Sequence, residues 1–130
     1  MCVTYTQREI YMHMHDWTQY RKQLSAGVSG FGKHSPDTVK GYVALSGAGQ
    51  KTDHLGDKTR ELIALAVAVS LRCDGCIAVH TAAARKFGAT KEEIAEALGV
   101  AVAINAGAAI VYSTRALDAF DTTGEEQANA

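Results

Sequence analysis

A dense set of helix boundary signals between Cys73 and Glu93 is the feature that most constrains the fold of this chain. Gly88 follows the segment that begins at Cys73, in the position where a glycine ends many helices. The next segment, Thr90-Lys91-Glu92-Glu93, has the form of a capping box, in which two side chains satisfy backbone N–H groups at a helix start. Two helices in direct succession predict helical packing rather than a sheet.

The rest of the chain predicts an all-α fold, a single-domain helical bundle of about six helices. Asp16 is a candidate N-cap, and Ser35-Pro36 places a proline in the first turn of the following helix. The glycines from 27 to 32 and the residues from Asn105 to Gly107 predict breaks. We expect an N-terminal arm at 1–15, the helical domain at 16–120 and a flexible tail at 121–130. Within the domain, the expected helices cover 16–25, 36–48, 57–71, 73–87, 91–105 and 108–120. We expect the helix at 57–71 to be buried on all sides.

Size and charge restrict the classes of partner. The chain has 130 residues, 47% of them apolar, and a net charge of −1, which argues against a nucleic-acid partner. The weakly charged stretch 97–112 is mostly Ala, Gly and Val and contains Asn105, so we expect a buried or interface helix rather than a membrane span. The N-terminus lacks the order of a signal peptide, which predicts a cytoplasmic protein.

The motif Cys73-Asp74-Gly75-Cys76 carries the most specific chemistry in the sequence. If a helix begins at Cys73, the two thiols lie one turn apart, and His80 lies one turn beyond Cys76. The N-terminal end of a helix favours a thiolate, which is the nucleophilic form of cysteine. In a cytoplasmic chain a dithiol is more often catalytic or metal-binding than structural. The motif therefore points to thiol redox chemistry.

Glu61 completes the candidate site if the chain turns back near Arg72. Along one straight helix, the step of twelve residues from Glu61 to Cys73 would separate them by about 18 Å. In an antiparallel hairpin, Glu61 approaches the level of His80. Its apolar surroundings would make an unpaired charge costly, so we expect it to pair with His80. A Glu–His pair beside a thiol can orient a base and remove the proton of the nucleophile.

Other interpretations of these residues remain open. Cys73, Cys76 and His80 could bind zinc, although a fourth ligand is missing unless Glu61 supplies it. The alternation of apolar residues from Val67 to Leu71 would suit the strand of a thioredoxin-like fold, but that fold needs a proline facing the dithiol and the single proline lies earlier. Taken singly, Glu61 could complement a helix N-terminus and His80 could be a surface residue.

Two segments outside the motif have simple interpretations. His13 and His15 precede Asp16 in a pattern that could bind a metal, although helix capping by Asp16 and packing of the arm at a subunit contact are the favoured interpretation. The small residues from Ala97 to Ala109 would let helices approach closely, either in the core or between subunits.

The four residues Glu61, Cys73, Cys76 and His80 have the spacing found in the alkylhydroperoxidase AhpD-like group of the carboxymuconolactone decarboxylase superfamily, which the segment from about 36 to 120 resembles. The resemblance implies an all-α protein that forms trimers or hexamers. It also implies that Cys76 attacks a small organic hydroperoxide, that Cys73 resolves the sulfenic acid as a disulfide, and that Glu61 and His80 relay the proton. The group uses no bound organic cofactor or metal for this reaction, and an external dithiol protein, possibly lipoyl-linked, recycles it.

This chain departs from the group at Gly75. The better-known peroxidases carry a second histidine just before the attacking cysteine and are longer. The departure suggests slow peroxide turnover and leaves a protein or small-molecule disulfide as an alternative substrate. Because the lactone decarboxylases of the superfamily generally lack the dithiol, its presence argues against lyase activity.

Overall fold

The computed structural model describes residues 13–128, with side chains described through residue 124, and all regular secondary structure within that part of the chain is helical. The predicted all-α fold is confirmed. Most of the expected arm at 1–15, including Cys2, lies outside the described residues. The helices are α1, Trp17–His34; α2, Pro36–Ser46; α3, Ala48–Thr52; α4, Gly56–Ser70; α5, Asp74–Lys86; and α6, Lys91–Ala128.

Helices α4, α5 and α6 form the centre of the fold. The α4 helix packs against both α5 and α6, while α1 packs against α2 and α5. The buried apolar residues of the described part are few and mostly alanine, which lets the helix axes approach closely. They are Leu65, Ala68, Ala78, Ala84 and Ala101.

Capping follows the sequence signals closely. The side chain of Asp16 accepts a hydrogen bond from the N–H of Gln19 at 2.9 Å and caps α1. The N–H of Glu93 donates to Thr90 Oγ1 at 3.1 Å, and the N–H of Thr90 donates to Glu93 Oε2 at 2.9 Å. These two bonds confirm the capping box at the start of α6.

The predicted helix breaks are wrong at both glycine-containing segments. Helix α1 continues through Gly27–Gly32 to His34, where Gly32 packs against the side chain of Val39. Helix α6 is continuous through Asn105, whose side-chain N–H groups donate to the carbonyl of Ala101 and to Ser70 Oγ. Packing against α2 and α4 thus outweighs the weak helix propensity of these residues.

Four further expectations or alternatives need correction. Helix α3 occupies part of the expected loop at 49–56, and α6 continues to Ala128 instead of ending near Phe120. The alternation from Val67 to Leu71 belongs to helix α4 and its cap, so the thioredoxin-like alternative is wrong. Nor is α4 buried on all sides of the single chain, because the side chains of Ile63 and Val67 are about half exposed.

The long helix α6 has an unusual surface. Its 38 residues extend about 57 Å at the usual rise per residue. The segment Lys91–Gly124 is long and apolar enough to cross a membrane, and little of it is buried in the single chain. Core helices of soluble proteins share this length and composition, so these two properties alone do not assign α6 to a bilayer. Exposed apolar residues also occur on α2 and α4.

Candidate active site

The turn between α4 and α5 is set by the backbone of Arg72. This residue has a left-handed conformation with a φ of 55°. The N–H of Cys73 donates to the carbonyl of Ala68 at 3.0 Å, and the N–H of Arg72 donates to the carbonyl of Val69 at 3.1 Å. These are the two hydrogen bonds of a Schellman motif, here with arginine where glycine is usual. The motif ends α4 and turns the chain back along it.

The hairpin brings Glu61 of α4 to His80 of α5. Glu61 Oε2 lies 2.6 Å from His80 Nδ1, across 19 positions of sequence. The Glu61 side chain is 17% exposed and that of His80 is 32% exposed. Because an ionised carboxylate can only accept, this bond places a ring proton on Nδ1, so that in the neutral imidazole Nε2 is the nitrogen able to accept a proton. The pairing expected from the hairpin is present.

Cys73 and Cys76 lie together at the first turn of α5 and are joined by a disulfide, with 5.3 Å between their Cα atoms. Cys73 is the N-cap of α5, and its Sγ accepts a hydrogen bond from the N–H of Cys76 at 3.1 Å. Both residues are partly exposed. His80 follows Cys76 by one helical turn, a spacing that places their Cβ atoms about 5–6 Å apart. Dithiol, imidazole and carboxylate therefore occupy one region of the hairpin.

Helix α1 packs over the middle of the CxxC motif. A Cβ atom added to Gly75 would lie 3.2 Å from Cδ2 and 3.5 Å from Cδ1 of Leu24. Leu24 lies on α1, and its contact with the motif had no sequence signal. A leucine from another helix thus fills the space that a side chain at position 75 would occupy.

Two polar contacts hold the hairpin against α6, and neither was expected. Lys58 Nζ lies 2.7 Å from Glu93 Oε1, which ties α4 to the first turn of α6. Asn105 donates to Ser70 Oγ at 2.7 Å, and Ser70 Oγ donates to the carbonyl of Ala66 at 2.9 Å. An isolated asparagine in an apolar helix is the only sequence signal that could have indicated the second contact.

A third polar cluster fixes the start of α4. Arg60 Nη1 lies 2.8 Å from Asp53 Oδ1, and Arg60 Nη2 also pairs with Asp57. Asp53 is the left-handed residue that ends α3. The hydrogen bond that Arg60 donates to Asp53 raises the pKa of the guanidinium, and the one that it donates to Asp57 adds to the effect. The cluster holds the helix that carries Glu61.

The metal-binding alternatives gain no support from the geometry of residues 13–128. Within that range, no group of three or more His, Cys, Asp and Glu side chains is arranged to hold a metal ion. His15 packs edge-on against Trp17, with ring centroids 5.1 Å apart. His80 Nδ1 is hydrogen-bonded to Glu61 Oε2.

Comparison with known proteins identifies the family of this helical unit. The model of the Carboxymuconolactone decarboxylase family matches residues 36–119, which is more than half of the chain. The chain belongs to the carboxymuconolactone decarboxylase family. The match begins at the start of α2 and contains the whole hairpin with the four site residues, so the family assignment covers the core of the candidate site.

Similar proteins include one solved structure from this family. A carboxymuconolactone decarboxylase family protein from Legionella pneumophila, in its apo form, is 37% identical with a TM-score of 0.64, and the alignment covers 81% of this chain and 94% of that one. The resemblance to an AhpD-like core of the superfamily is thereby supported at the level of fold.

The curated relatives are described only as uncharacterized proteins. One from Haemophilus influenzae is 46% identical over 50% of this chain and 58% of its own length. One from Cupriavidus necator is 32% identical over 62% of this chain and 68% of its own length. A third, named uncharacterized protein 4 in cox locus, from Paracoccus denitrificans, is 42% identical over 44% of this chain and 51% of its own length. The first and third matches thus span little more than half of each relative.

Proposed function

We propose that this protein is a thiol-dependent oxidoreductase that reduces a small organic hydroperoxide or a disulfide. Cys76 is the attacking thiol, Cys73 the resolving thiol, and Glu61 with His80 forms the proton relay. The observation that carries the proposal is the 2.6 Å contact of Glu61 with His80, one helical turn from a dithiol at a helix N-terminus. Family membership alone leaves the activity open, because the family includes both decarboxylases and peroxidases.

In the peroxidase reaction, His80 Nε2 accepts the proton of the Cys76 thiol while Glu61 holds the imidazole through Nδ1. The thiolate attacks the terminal oxygen of the hydroperoxide, so that an S–O bond forms and the O–O bond breaks. The alkoxide leaves with a proton from the imidazolium, giving an alcohol and a sulfenic acid on Cys76. The N-terminal end of α5 stabilises the negative charge of the thiolate.

The Cys73 thiol then attacks Cys76 Sγ, the S–O bond breaks, and the hydroxyl group leaves as water. The product is the disulfide found between these residues. An external dithiol protein, such as a lipoyl-linked one, restores both thiols by exchange through a mixed disulfide. With a disulfide substrate, Cys76 forms the mixed disulfide directly and Cys73 resolves it. No bound cofactor or metal enters either scheme.

The surface of the single chain supports assembly into a homo-oligomer, a trimer or a hexamer. Apolar side chains of α2, α4 and α6 are exposed in the chain, among them Leu45, Val67 and Ile104. Patches of this extent on a soluble protein usually mark interfaces. We propose that copies of the chain cover α6 and that the protein is cytoplasmic, with neither membrane nor nucleic acid as a partner. Sedimentation of a monomer at micromolar concentration would contradict this assembly.

Thiol titration tests the proposed chemistry. The variant Cys2→Ser retains only the two thiols of the motif, and after complete reduction one equivalent of cumene hydroperoxide should remove both. In a Cys73→Ser variant the same dose should leave a sulfenic acid on Cys76 that dimedone traps, whereas Cys76→Ser should show no turnover. Full turnover by Cys76→Ser would overturn the assignment of roles.

Two outcomes would favour other functions. One tightly held zinc per chain, in protein purified under reducing conditions, would favour a metal-binding or redox-sensing protein that does not catalyse. Activity on a muconolactone that survives alkylation of both thiols would favour a lyase. No group of side chains among the described residues is arranged to hold a metal ion, which gives zinc binding no support. The presence of the dithiol argues against the lyase.

A further inference from the structure

A cavity separate from the dithiol lies between the start of α1, one face of α5 and the start of α6. Its volume is about 1330 Å³. It is lined by Trp17 and Arg21 from α1, Ile77 and Arg85 from α5, and Ile94 from α6, among others. The residues Glu61, Cys73, Cys76 and His80 are not part of its lining. The cavity therefore needs an explanation of its own.

The polar lining of the cavity is mostly basic. Arg21, Arg85 and Lys91 come from three different helices, whereas Asp16 is the single acidic residue among the lining residues. The Asp16 carboxylate already accepts the N–H of Gln19 as the cap of α1. Arg21 and Arg85 both line this site, in a chain of net charge −1. Such a local excess of positive charge raises the concentration of anions in a concave site.

Arg21 and Arg85 have N–H groups that are available to a ligand. The guanidinium of Arg85 forms no hydrogen bond or ion pair with the residues at 13–124, and its side chain is exposed. Arg21 makes one weak hydrogen bond, from Nη2 to Thr18 Oγ1 at 3.3 Å, within its own helix. Each guanidinium carries five N–H donors in a planar fork that matches carboxylate and phosphate oxygens. Most of these donors bind no acceptor among the described residues.

The remaining lining is apolar or aromatic. Ile77 and Ile94 contribute branched side chains, and Trp17 contributes an indole ring. Small-molecule sites generally combine such an apolar surface with a few polar groups that fix orientation. We propose that this cavity binds a small organic anion, with its carboxylate or phosphate on Arg21 and Arg85 and its apolar body on the isoleucines and Trp17.

This binding is independent of the redox chemistry. Ile77 directly follows Cys76, but Ile77, Thr81 and Arg85 form a stripe on α5 that is displaced around the helix from the stripe of Cys76 and His80. Ligand binding can thus be measured on the oxidised protein, without turnover.

Trp17 provides the readout, because it is the single tryptophan of the chain. Titration with octanoate and with octyl phosphate should change the intensity or wavelength of its fluorescence to saturation, and the two arms show which head group is preferred. Methyl octanoate has the same apolar body without the charge and should bind about 10- to 100-fold more weakly, because it cannot form charge-assisted hydrogen bonds with the arginines. Inorganic phosphate alone should also bind more weakly.

Arginine variants test the placement of the anion. Arg85→Gln and, separately, Arg21→Gln should each raise the Kd of octanoate by about tenfold. Arg115→Gln is the matched control, because Arg115 contacts Tyr112 on the far part of α6 and should leave the Kd unchanged. Equal binding of octanoate and methyl octanoate, or a Kd unaffected by both cavity variants, would overturn the proposal and assign binding to the exposed apolar helix faces.

Discussion

Glu61 of α4 and His80 of α5 are joined by a 2.6 Å hydrogen bond through His80 Nδ1, and this bond fixes the tautomer of the imidazole. The free nitrogen, Nε2, is then the base that the proposed chemistry requires. The carboxylate acts on the thiol only through the ring, so Glu61 is a positioning residue rather than a group that touches the substrate.

Replacing Glu61 by Gln should lower kcat/KM for hydroperoxide reduction by about 100-fold, within the range of general acid–base effects. The amide of Gln can donate to Nδ1, which would move the ring proton to Nε2 and remove the base. Nitrogen NMR of His80 should report that change of tautomer. Glu96→Gln, at an exposed position of α6, is the control. A Glu61→Gln enzyme with unchanged kcat/KM would exclude the relay.

Gly75 and Leu24 should behave as a coupled pair. A Cβ at position 75 would approach Leu24 Cδ2 to 3.2 Å. The imidazole ring of a histidine at this position is larger still and would displace the leucine side chain. We expect Gly75→His to lower the free energy of unfolding by about 1–3 kcal/mol, as overpacking generally does. In a Leu24→Ala background the same substitution should cost less. A double-mutant cycle in urea measures the coupling, and purely additive effects would show that the contact does not limit position 75.

Arg72 and Gly88 occupy equivalent positions after α4 and α5, with φ values of 55° and 82°. A left-handed conformation costs a residue with a Cβ about 1–2 kcal/mol. Arg72→Gly should therefore stabilise the protein by about 0.5–1 kcal/mol after the extra chain entropy of glycine. Arg72→Ala is the control that removes the charge but keeps the Cβ, and Gly88→Ala should destabilise. The denaturation midpoints of the three variants and the parent measure this order of stability. An Arg72→Gly variant that is no more stable than the parent would contradict the prediction.

Glu93 should make the stability of the α4–α6 contact depend on pH. The hydrogen bond from Lys58, and then that from the Thr90 backbone, lowers the pKa of Glu93 below its usual value of 4.5. The stabilisation is therefore complete above about pH 4.5 and is lost as the pH falls through the lower pKa of the folded state. Glu93→Gln keeps an acceptor for the capping box but removes the charge.

We expect the Glu93→Gln variant to be less stable than the parent at pH 7, and the difference to shrink as the pH falls through that range. Urea unfolding at several pH values measures both curves. Glu92→Gln, one position earlier on the exposed side of the same turn, is the matched control. A constant difference between Glu93→Gln and the parent at all pH values would show that Glu93 acts without its charge.

The fold class and the pairing of Glu61 with His80 could be predicted because their signals are local. Capping residues act within one turn, and a hairpin of known turn position brings residues equally far from the turn together. The catalytic roles of the four residues stay predictions. The helix breaks at Gly27–Gly32 and at Asn105 were wrong, since glycine and asparagine lower helix propensity by about 1 kcal/mol at most, which packing readily exceeds.

The contacts between distant segments could not be predicted. Leu24 reaches Gly75 across 51 positions of sequence, and Asn105 reaches Ser70 across 35. Nothing in either residue's own neighbourhood indicates its partner. The cavity between α1, α5 and α6 depends in the same way on how three helices pack, so its basic lining became visible only once the chain was folded.

The Schellman turn at Arg72 places the whole candidate site in one short, contiguous stretch of chain. The four site residues lie between Glu61 and His80, and the single turn between α4 and α5 brings them together without a long loop to close. Local contacts of this kind form quickly, so the site can assemble early on the folding pathway. The same hairpin is a compact unit for transplantation, because a recipient bundle would need to supply only a leucine-sized apolar side chain against Gly75 and a helix to cover its alanine face.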